Sequence, residues 1–362
     1  SPSVMTLREK MPELDIKVDA CFLSNPYATE LFLKYLNDDL NSKLSLRDLL
    51  EFYPSTNEII SDQLSKAIDV DKRNIFVCNG AIEAIQTVIH NFAKDKIIVN
   101  IPTFSSYYEF VKPDIEVVYY RLKKYENFKI NIDKYIKFVK KNKPNTVVLI
   151  NPNNPDGSYI EFETLDYILN EFTDIENIII DESFIHFAYE DKSLSPVSVT
   201  KLLYKYNNLI VIKSMSKDFG IAGIRAGYAI MSESKVKNLL KNGFLWNSNG
   251  FSEYFFRLYG DNTFLNDYEI VRKKYIKETS AFFKKLDTIN RIKIYPSKAN
   301  FVLIELINEK SSDNIVSDLL INHGVYVRTC SDKIGLDGNF IRLASRTFNE
   351  NTIIYNSLSK VL

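Results

Sequence analysis

The stretch NLIVIKSMSKDFGIAGIRAGY, residues 208–228, joins an apolar run to a glycine-rich segment that holds a lysine and an arginine. Residues 209–212 are unbroken Leu, Ile and Val, which is typical of a strand buried on both faces of a parallel sheet. Lys217 follows that strand among small residues, and Arg225 lies eight residues later. Small neighbours leave room for a bulky group on a lysine amine, so the stretch predicts a buried strand that ends in a covalent cofactor site.

Further apolar runs alternate with helical patterns along the chain. The strand-like runs are NIFVCNG (74–80), KIIVNIPT (96–103), NTVVLINPNNPDG (145–157) and NIIIDES (177–183), and the helical patterns between them include 81–94 and 162–172. This alternation predicts the α/β class, with a doubly wound and mostly parallel sheet in a large domain over residues 45–245. Residues 1–44 and 246–362 mix helical and strand-like segments and are predicted to form a smaller α+β domain.

Composition excludes several function classes. The 362 residues include 46 Lys and Arg against 46 Asp and Glu, and a net charge of zero argues against a nucleic-acid-binding protein. No apolar run reaches the roughly 20 residues that cross a bilayer, so we expect no membrane partner. Three separated cysteines and three histidines without metal-ligand spacing predict a reduced, cytoplasmic setting and no metal site.

Polar residues at the ends of the predicted strands indicate where a ligand binds, because ligands of such sheets lie beyond the carboxyl ends of the strands. Asp181 ends a buried strand and could pair with a protonated pyridine nitrogen. Taken alone, an aspartate at this position could equally cap a helix N-terminus or form a structural salt bridge. Asn154 lies in a rigid Pro/Gly turn and could donate to a ring hydroxyl. Phe104 could stack on a flat ring or belong to the core.

A phosphate site is predicted where a helix begins. Asn79, Gly80 and Ala81 precede the helix of 81–94, whose free N–H groups can bind a phosphate, although Asn-Gly turns are common. Ser214, Ser216 and Arg225 could close that site from the strand that leads to Lys217.

The motifs SMSKDFGIAGIRAGY, NPNNPDG and IIIDES, in this order and spacing, resemble the fold-type-I, pyridoxal-phosphate (PLP)-dependent class I/II aminotransferase family. Within it the chain looks most like histidinol-phosphate aminotransferases and threonine-phosphate decarboxylases, from about Asn25 to Arg346. The resemblance implies that PLP is bonded to Lys217, which also transfers protons, and that Asp181 pairs with the pyridine nitrogen. It further implies cofactor contacts from Asn79, Gly80, Ala81, Phe104, Asn154, Ser214, Ser216 and Arg225, and from Tyr53 across a homodimer interface.

One position departs from the family pattern. Many aminotransferases carry a tyrosine three residues after the aspartate, bonded to the ring oxygen, whereas this chain has Phe184 there. Without the phenol the ring loses one hydrogen bond, so the tuning of the lysine–cofactor bond should differ from that of the tyrosine enzymes.

The segment VRTCSDKIGLDGNFIRLASR, residues 327–346, points to the substrate. Arg328, Arg342 and Arg346 suit a dianion that carries a carboxylate and a phosphate or phosphonate, with Arg342 expected on the carboxylate. For Arg346, a position on the protein surface without contact to substrate is equally consistent with the sequence. Asn25 completes the predicted substrate contacts.

Two reactions fit these residues. We predict transamination of a small amino acid or amine that carries a phosphate or phosphonate. The α-decarboxylation of a phospho- or phosphono-amino acid is the alternative, since the bond that stands perpendicular to the ring breaks. A PLP sensor with little turnover is a less favoured reading, and the chain could be fused to another enzyme domain.

Overall fold

The computed structural model describes residues 1–244, 246–307 and 310–362. Its helices are α1 (Val4–Lys10), α2 (Pro26–Leu40), α3 (Leu46–Glu51), α4 (Asn57–Ile68), α5 (Ala81–Phe92), α6 (Ser106–Glu109), α7 (Ile132–Asn142), α8 (Phe162–Glu171), α9 (Glu233–Lys241), α10 (Gly250–Tyr259), α11 (Asn262–Leu286), α12 (Ser312–His323) and α13 (Phe348–Val361). Its strands are β1 (Val18–Asp19), β2 (Ile75–Cys78), β3 (Lys96–Ile101), β4 (Glu116–Arg121), β5 (Thr146–Ile150), β6 (Asn177–Asp181), β7 (Leu209–Ser214), β8 (Gly227–Ile230), β9 (Ile292–Ile294), β10 (Phe301–Leu306), β11 (Val325–Tyr326), β12 (Arg328–Thr329) and β13 (Phe340–Ala344).

The larger sheet has the order β2-β8-β7-β6-β5-β3-β4 and is parallel except for β8, which runs antiparallel to both of its neighbours. Every residue of β5, β6 and β7 is buried. Along β5, Val147 and Leu149 face one hydrophobic cluster, while Val148 and Ile150 face the other. Two covered faces explain why these strands are unbroken apolar runs, and the predicted α/β class is confirmed.

The smaller sheet is antiparallel, in the order β12-β13-β10-β9. Beside it, β1 pairs in parallel with β11, which ties the N-terminal segment to the C-terminal part of the chain. Helices α11, α12 and α13 cover one face of this unit and supply part of its core. Arg342 lies within the buried strand β13, so its cation projects from a rigid element.

Helices from both predicted parts of the chain pack on the larger sheet. Phe32 of α2 and Phe255 of α10 lie in the same cluster as Leu64 of α4 and the strand residue Ile180. The boundaries drawn at residues 45 and 245 therefore stay a prediction, and residue 245 itself lies outside the described residues.

Among the helices that the structure describes, none is both long and apolar enough to cross a bilayer. The cytoplasmic location and the fusion to another enzyme domain stay predictions.

Candidate active site

A cavity of about 280 Å³ opens at the carboxyl ends of β5, β6 and β7, against β13. The predicted site residues that line it are Ala81, Phe104, Asn154, Asp181, Ser214, Ser216, Lys217, Arg225 and Arg342. Parallel strands end at the same edge of a sheet, which is why Asn154, Asp181 and Lys217 meet here although they are far apart in the sequence.

Lys217 lies in the loop that leaves β7. The peptide N–H of Asn25 donates to the Lys217 carbonyl at 2.9 Å, and the N–H of Ser216 donates to Ser214 Oγ at 3.2 Å, so the loop is held on both sides. Burial, and then the positive charges of Arg342 and Arg225, lower the pKa of Lys217 to about 8. The neutral, nucleophilic amine is therefore accessible close to neutral pH.

Asp181 is the buried acid at the end of β6. Tyr107 Oη donates to one carboxylate oxygen and the Ser183 N–H donates to the other, both at 2.7 Å. Burial raises the pKa of Asp181, whereas these hydrogen bonds and the charge of Lys213 oppose that rise. A buried carboxylate of this kind gains most from a cation placed beside it, such as a protonated ring nitrogen.

The N-terminus of α5 forms a cradle with Arg225. Gly80 precedes the helix at φ +83°, and no described side chain caps the first turn, which leaves its N–H groups available to a ligand beside Ala81 in the cavity. A Cβ on Gly80 would collide with the Arg225 guanidinium, and one on Gly227 would lie 2.7 Å from the Ala81 nitrogen. Glycine at position 80 leaves space for the arginine, and glycine at position 227 lets β8 approach the start of α5, which is a favourable place for a phosphate.

Arg342 faces the cavity from the smaller sheet. Its Nη1 donates to Asn154 Oδ1 at 2.7 Å and its Nη2 donates to the Cys21 carbonyl at 3.0 Å, while its buried Nε has no partner among the described residues. Phe184 forms the wall nearby, edge-on to Phe301 with ring centroids 5.0 Å apart. The substrate end of the cavity thus combines one cation with apolar walls.

Some predicted site residues do not line this cavity. Asn79 is exposed, and its N–H donates to Glu83 Oε2 at 2.6 Å. Asn25 caps α2, and its buried Nδ2 has no partner among the described residues. Tyr53 is 81% exposed.

The two outer arginines, Arg328 and Arg346, do not line the cavity, and each has partners of its own. Arg346 Nη1 donates to the Ser24 carbonyl at 2.9 Å, and Nη2 lies 3.5 Å from Glu350. Arg328 bonds Asp332 Oδ2 at 2.6 Å and Ser1 Oγ at 2.8 Å. Gly80, although it does not line the cavity, shapes the cradle through its contact with Arg225.

Sequence reasoning missed three features of the site. Tyr107 stands three residues after Phe104 on α6, and nothing in the sequence marks it as the partner of Asp181. Cys21, Phe22 and Leu23 line the cavity, and their position just before Asn25 could have signalled it.

Lys213 is the third missed feature, a cation inside an otherwise apolar strand. Its ammonium pairs with the buried carboxylate of Asp218 and donates to the Ser214 carbonyl at 2.7 Å. The polar residue in the apolar run LIVIK could have indicated a buried partner.

Comparison with known proteins now identifies the family. A family model for aminotransferase class I and II matches residues 45–353. The chain belongs to this family. The predicted recognition is confirmed, and the chain is therefore a PLP-dependent enzyme of the aminotransferase type.

Two relatives and one solved structure match along the whole chain. An L-serine phosphate decarboxylase of Campylobacter jejuni is 57% identical over 361 residues, which are 100% of this chain and 93% of the relative. An L-serine phosphate decarboxylase of Sulfurospirillum multivorans is 46% identical over 362 residues, 100% of this chain and 92% of the relative. The structure of a decarboxylase from Sulfurospirillum multivorans superposes with a TM-score of 0.96 at 46% identity, covering 100% of this chain and 92% of that one.

These relatives correct the predicted reaction. The prediction of transamination is wrong, because similar full-length proteins are named decarboxylases. The sequence does not show which bond at Cα stands perpendicular to the cofactor ring, and that angle decides between the two reactions.

The residues present fit PLP. The uncapped end of α5 beside Arg225 suits its phosphate, the buried Asp181 suits its ring nitrogen, and Lys217 has a lowered pKa that suits bonding to its aldehyde. All three lie around one cavity. PLP is the cofactor of this chain.

Proposed function

We propose that the chain decarboxylates L-serine phosphate to phosphoethanolamine and carbon dioxide. The observation that carries the proposal is the 57% identity over the whole chain to an L-serine phosphate decarboxylase. A cavity that combines a lysine of lowered pKa with an arginine, Arg342, supports it. The bond from Cα to the carboxylate breaks, carbon dioxide leaves, and the electron pair that remains at Cα takes up a proton.

Bound PLP supplies the electron-withdrawing ring that accepts this electron pair. Asp181, held by Tyr107 and Ser183, would keep the ring nitrogen protonated. The end of α5 with Arg225, Ser214 and Ser216 would hold the phosphate of PLP, and Asn154 and Phe104 would fix the ring. Lys217 would bond PLP before substrate enters and would then carry the proton to Cα, since an amine of pKa about 8 can both accept and deliver a proton near neutral pH.

Arg342 would orient the substrate carboxylate. Its guanidinium already lies against Asn154, and its buried Nε, which has no partner among the described residues, could donate to the carboxylate. The walls beside it are apolar, from Leu23 and Phe184. Apolar walls favour the loss of a carboxylate as neutral carbon dioxide, because burying a charge costs more than burying a neutral molecule.

Product analysis with PLP-loaded enzyme and O-phospho-L-serine tests the reaction. We expect one carbon dioxide and one phosphoethanolamine for each substrate consumed, without any added 2-oxo acid. Formation of a phosphorylated 2-oxo acid that depends on an amino acceptor would contradict the proposal. O-phospho-L-threonine in parallel separates a serine phosphate enzyme from the threonine-phosphate-type alternative.

We also propose that the enzyme works as a homodimer. Leu50, Phe52, Tyr53 and Trp246 are all at least half exposed, and the rings of Tyr53 and Trp246 lie 5.2 Å apart. Apolar groups clustered in this way favour burial against a second copy, where Tyr53 would reach the other subunit's cofactor phosphate.

Light scattering of wild-type and Tyr53→Phe protein, with PLP affinity measured on both, tests this proposal of a homodimer. The proposal is refuted if wild-type protein is a monomer and the Tyr53→Phe variant binds PLP as tightly as wild type.

A further inference from the structure

Arg328 and Arg342 lie side by side on the smaller sheet. They are opposite partners on the antiparallel strands β12 and β13, so their side chains leave the same face of the sheet. Residues opposite each other have Cβ atoms roughly 5 Å apart, and like charges at that spacing destabilise a sheet. An anion bound between or beyond them removes this repulsion.

A third cation, Lys333, lies beside this pair on the loop that follows β12. Its side chain is only 9% exposed. Among the described residues, the nearest carboxylate oxygen to its Nζ is Asp332 Oδ2 at 4.0 Å, beyond hydrogen-bond distance. The same oxygen accepts the 2.6 Å hydrogen bond of Arg328, so one carboxylate serves two cations.

The charges around Lys333 do not balance. Arg342 donates to two neutral oxygens, those of Asn154 and Cys21, and so receives no compensation from a carboxylate in these contacts. Burial lowers the pKa of Lys333, the charge of Asp332 opposes this, and the charges of Arg328 and Arg342 lower it further. Among the described residues, Asp332 is the one carboxylate within 4.0 Å of any of these three cations, so a ligand with two negative charges would compensate the remaining charge.

The loop that carries Lys333 is held against the cofactor side of the site. Gly335 has a φ of +94°, and a Cβ there would lie 2.9 Å from the Pro102 nitrogen, two residues before Phe104. The Arg121 guanidinium bonds Asp337 at the other end of the loop, at 3.0 Å. The ammonium of Lys333 is thus placed by a fixed loop rather than by a free surface side chain.

We propose that Lys333, together with Arg328, binds the phosphate group of the substrate, while Arg342 takes the carboxylate. This inference rests on the proposed function for the identity of the substrate. Lysine binds phosphate as a point charge and arginine binds it through a fork of donors, so the pair suits a phosphate monoester dianion. Lys333 then selects phosphorylated amino acids against their unphosphorylated counterparts.

The test is calorimetric binding to PLP-loaded enzyme, with phosphoethanolamine, ethanolamine and inorganic phosphate as ligands. For Lys333→Met we expect the Kd for phosphoethanolamine to rise about 10- to 100-fold, as for the loss of a charged hydrogen bond. Binding of ethanolamine, which lacks the phosphate, should change less than about twofold. Lys333→Arg should restore most of the affinity for phosphoethanolamine, and Lys360→Met, an exposed lysine on α13, should leave all three affinities as they are.

Arg328→Gln is the second variant and should show the same loss of affinity for phosphate-bearing ligands, in case Lys333→Met folds poorly. If both variants keep the Kd of phosphoethanolamine and of inorganic phosphate within about twofold of wild type, the inference is overturned. These readouts do not need turnover. A wild-type enzyme that binds phosphoethanolamine through Lys333 but releases no carbon dioxide from serine phosphate would disprove the proposed function and leave the phosphate subsite standing.

Discussion

The cofactor end and the substrate end of the cavity differ in how their charges are paired. At the cofactor end, both carboxylate oxygens of Asp181 accept hydrogen bonds, from Tyr107 and from Ser183. At the substrate end, Arg342 Nε has no partner among the described residues. In the phosphate site proposed beside it, the nearest described carboxylate to Lys333 lies 4.0 Å away and is already bonded to Arg328.

This difference indicates a division of labour, in which one end of the cavity holds the cofactor and the other end binds the substrate. Satisfied hydrogen bonds hold the cofactor-binding groups in place before any ligand arrives, which is what an electrostatic site requires. Partly unpaired cations at the substrate end cost stability in the free enzyme, and a dianionic substrate returns that free energy on binding. Variants at the two ends should therefore fail in different ways.

Lys217→Ala should give the largest loss. We expect decarboxylation of serine phosphate to fall by about 10²- to 10⁴-fold or more, because both the covalent attachment of PLP and the proton donor are removed. PLP should still bind through the α5 cradle, since Gly80 and Arg225 are unchanged. Borohydride reduction followed by mass spectrometry should show a PLP adduct in wild type and none in the variant. An adduct on another lysine would show that the assignment of Lys217 is wrong.

Arg342→Gln tests the substrate end on its own. We expect kcat/KM for serine phosphate to fall about 10- to 150-fold, the range for losing a charged hydrogen bond of about 1.5–3 kcal/mol. The affinity for PLP should change much less, since Arg342 contacts Asn154 and Cys21 rather than the α5 cradle. Steady-state kinetics and PLP titration on the same preparation separate the two effects. Arg342→Lys should recover little activity, because lysine cannot reproduce the guanidinium fork.

Much of the cofactor end could be predicted from the sequence, because its residues follow strands whose apolar runs are easy to recognise. Asp181 ends such a run, Asn154 and Lys217 follow shortly after the ends of two others, and strand ends of a parallel sheet converge. Tyr107 could not be predicted in this way. It stands inside a four-residue helix, and its hydrogen bond to Asp181 depends on how that helix packs.

The substrate end was harder to predict because its residues come from short strands and loops. Arg328, Arg342 and Arg346 look alike in sequence, yet Arg342 alone of the three lines the described cavity, since the others bond Asp332 and the Ser24 carbonyl. Lys333 carries no motif, and its importance comes from a burial that only the folded loop produces.

Tyr107→Phe should sharpen the comparison by loosening the cofactor end slightly. The variant removes one hydrogen bond to Asp181, whose pKa is raised by burial and held down partly by this donor. Tyr107 makes this bond before PLP arrives, so only part of the roughly 1.5–3 kcal/mol of a hydrogen bond to a charged group affects PLP affinity, and we expect the Kd for PLP to rise about two- to tenfold. Equilibrium dialysis measures it, and the KM for serine phosphate serves as the control that should stay close to wild type. A larger effect on KM than on PLP affinity would contradict the division of labour.

The pH dependence of PLP loading should report on both ends at once. Burial, then the charges of Arg342 and Arg225, lower the pKa of Lys217 to about 8, so its amine is mostly protonated below that pH and mostly neutral above it. Only the neutral amine bonds PLP, so the rate at which PLP-free enzyme takes up PLP covalently should rise with pH and reach half its maximum near pH 8. The folded pKa of Lys217 lies below the value of about 10.4 expected in the unfolded chain. Protonated Lys217 therefore also destabilises the PLP-free fold, and this cost disappears as pH rises from about 8 to about 10.4.

Arg342→Gln removes one of the cations that lower this pKa and should move the midpoint of PLP loading to higher pH, whereas Lys360→Met should leave the midpoint in place. If the pH midpoint of PLP loading is the same in Arg342→Gln and in wild type, the two ends of the cavity are not electrostatically coupled through Lys217.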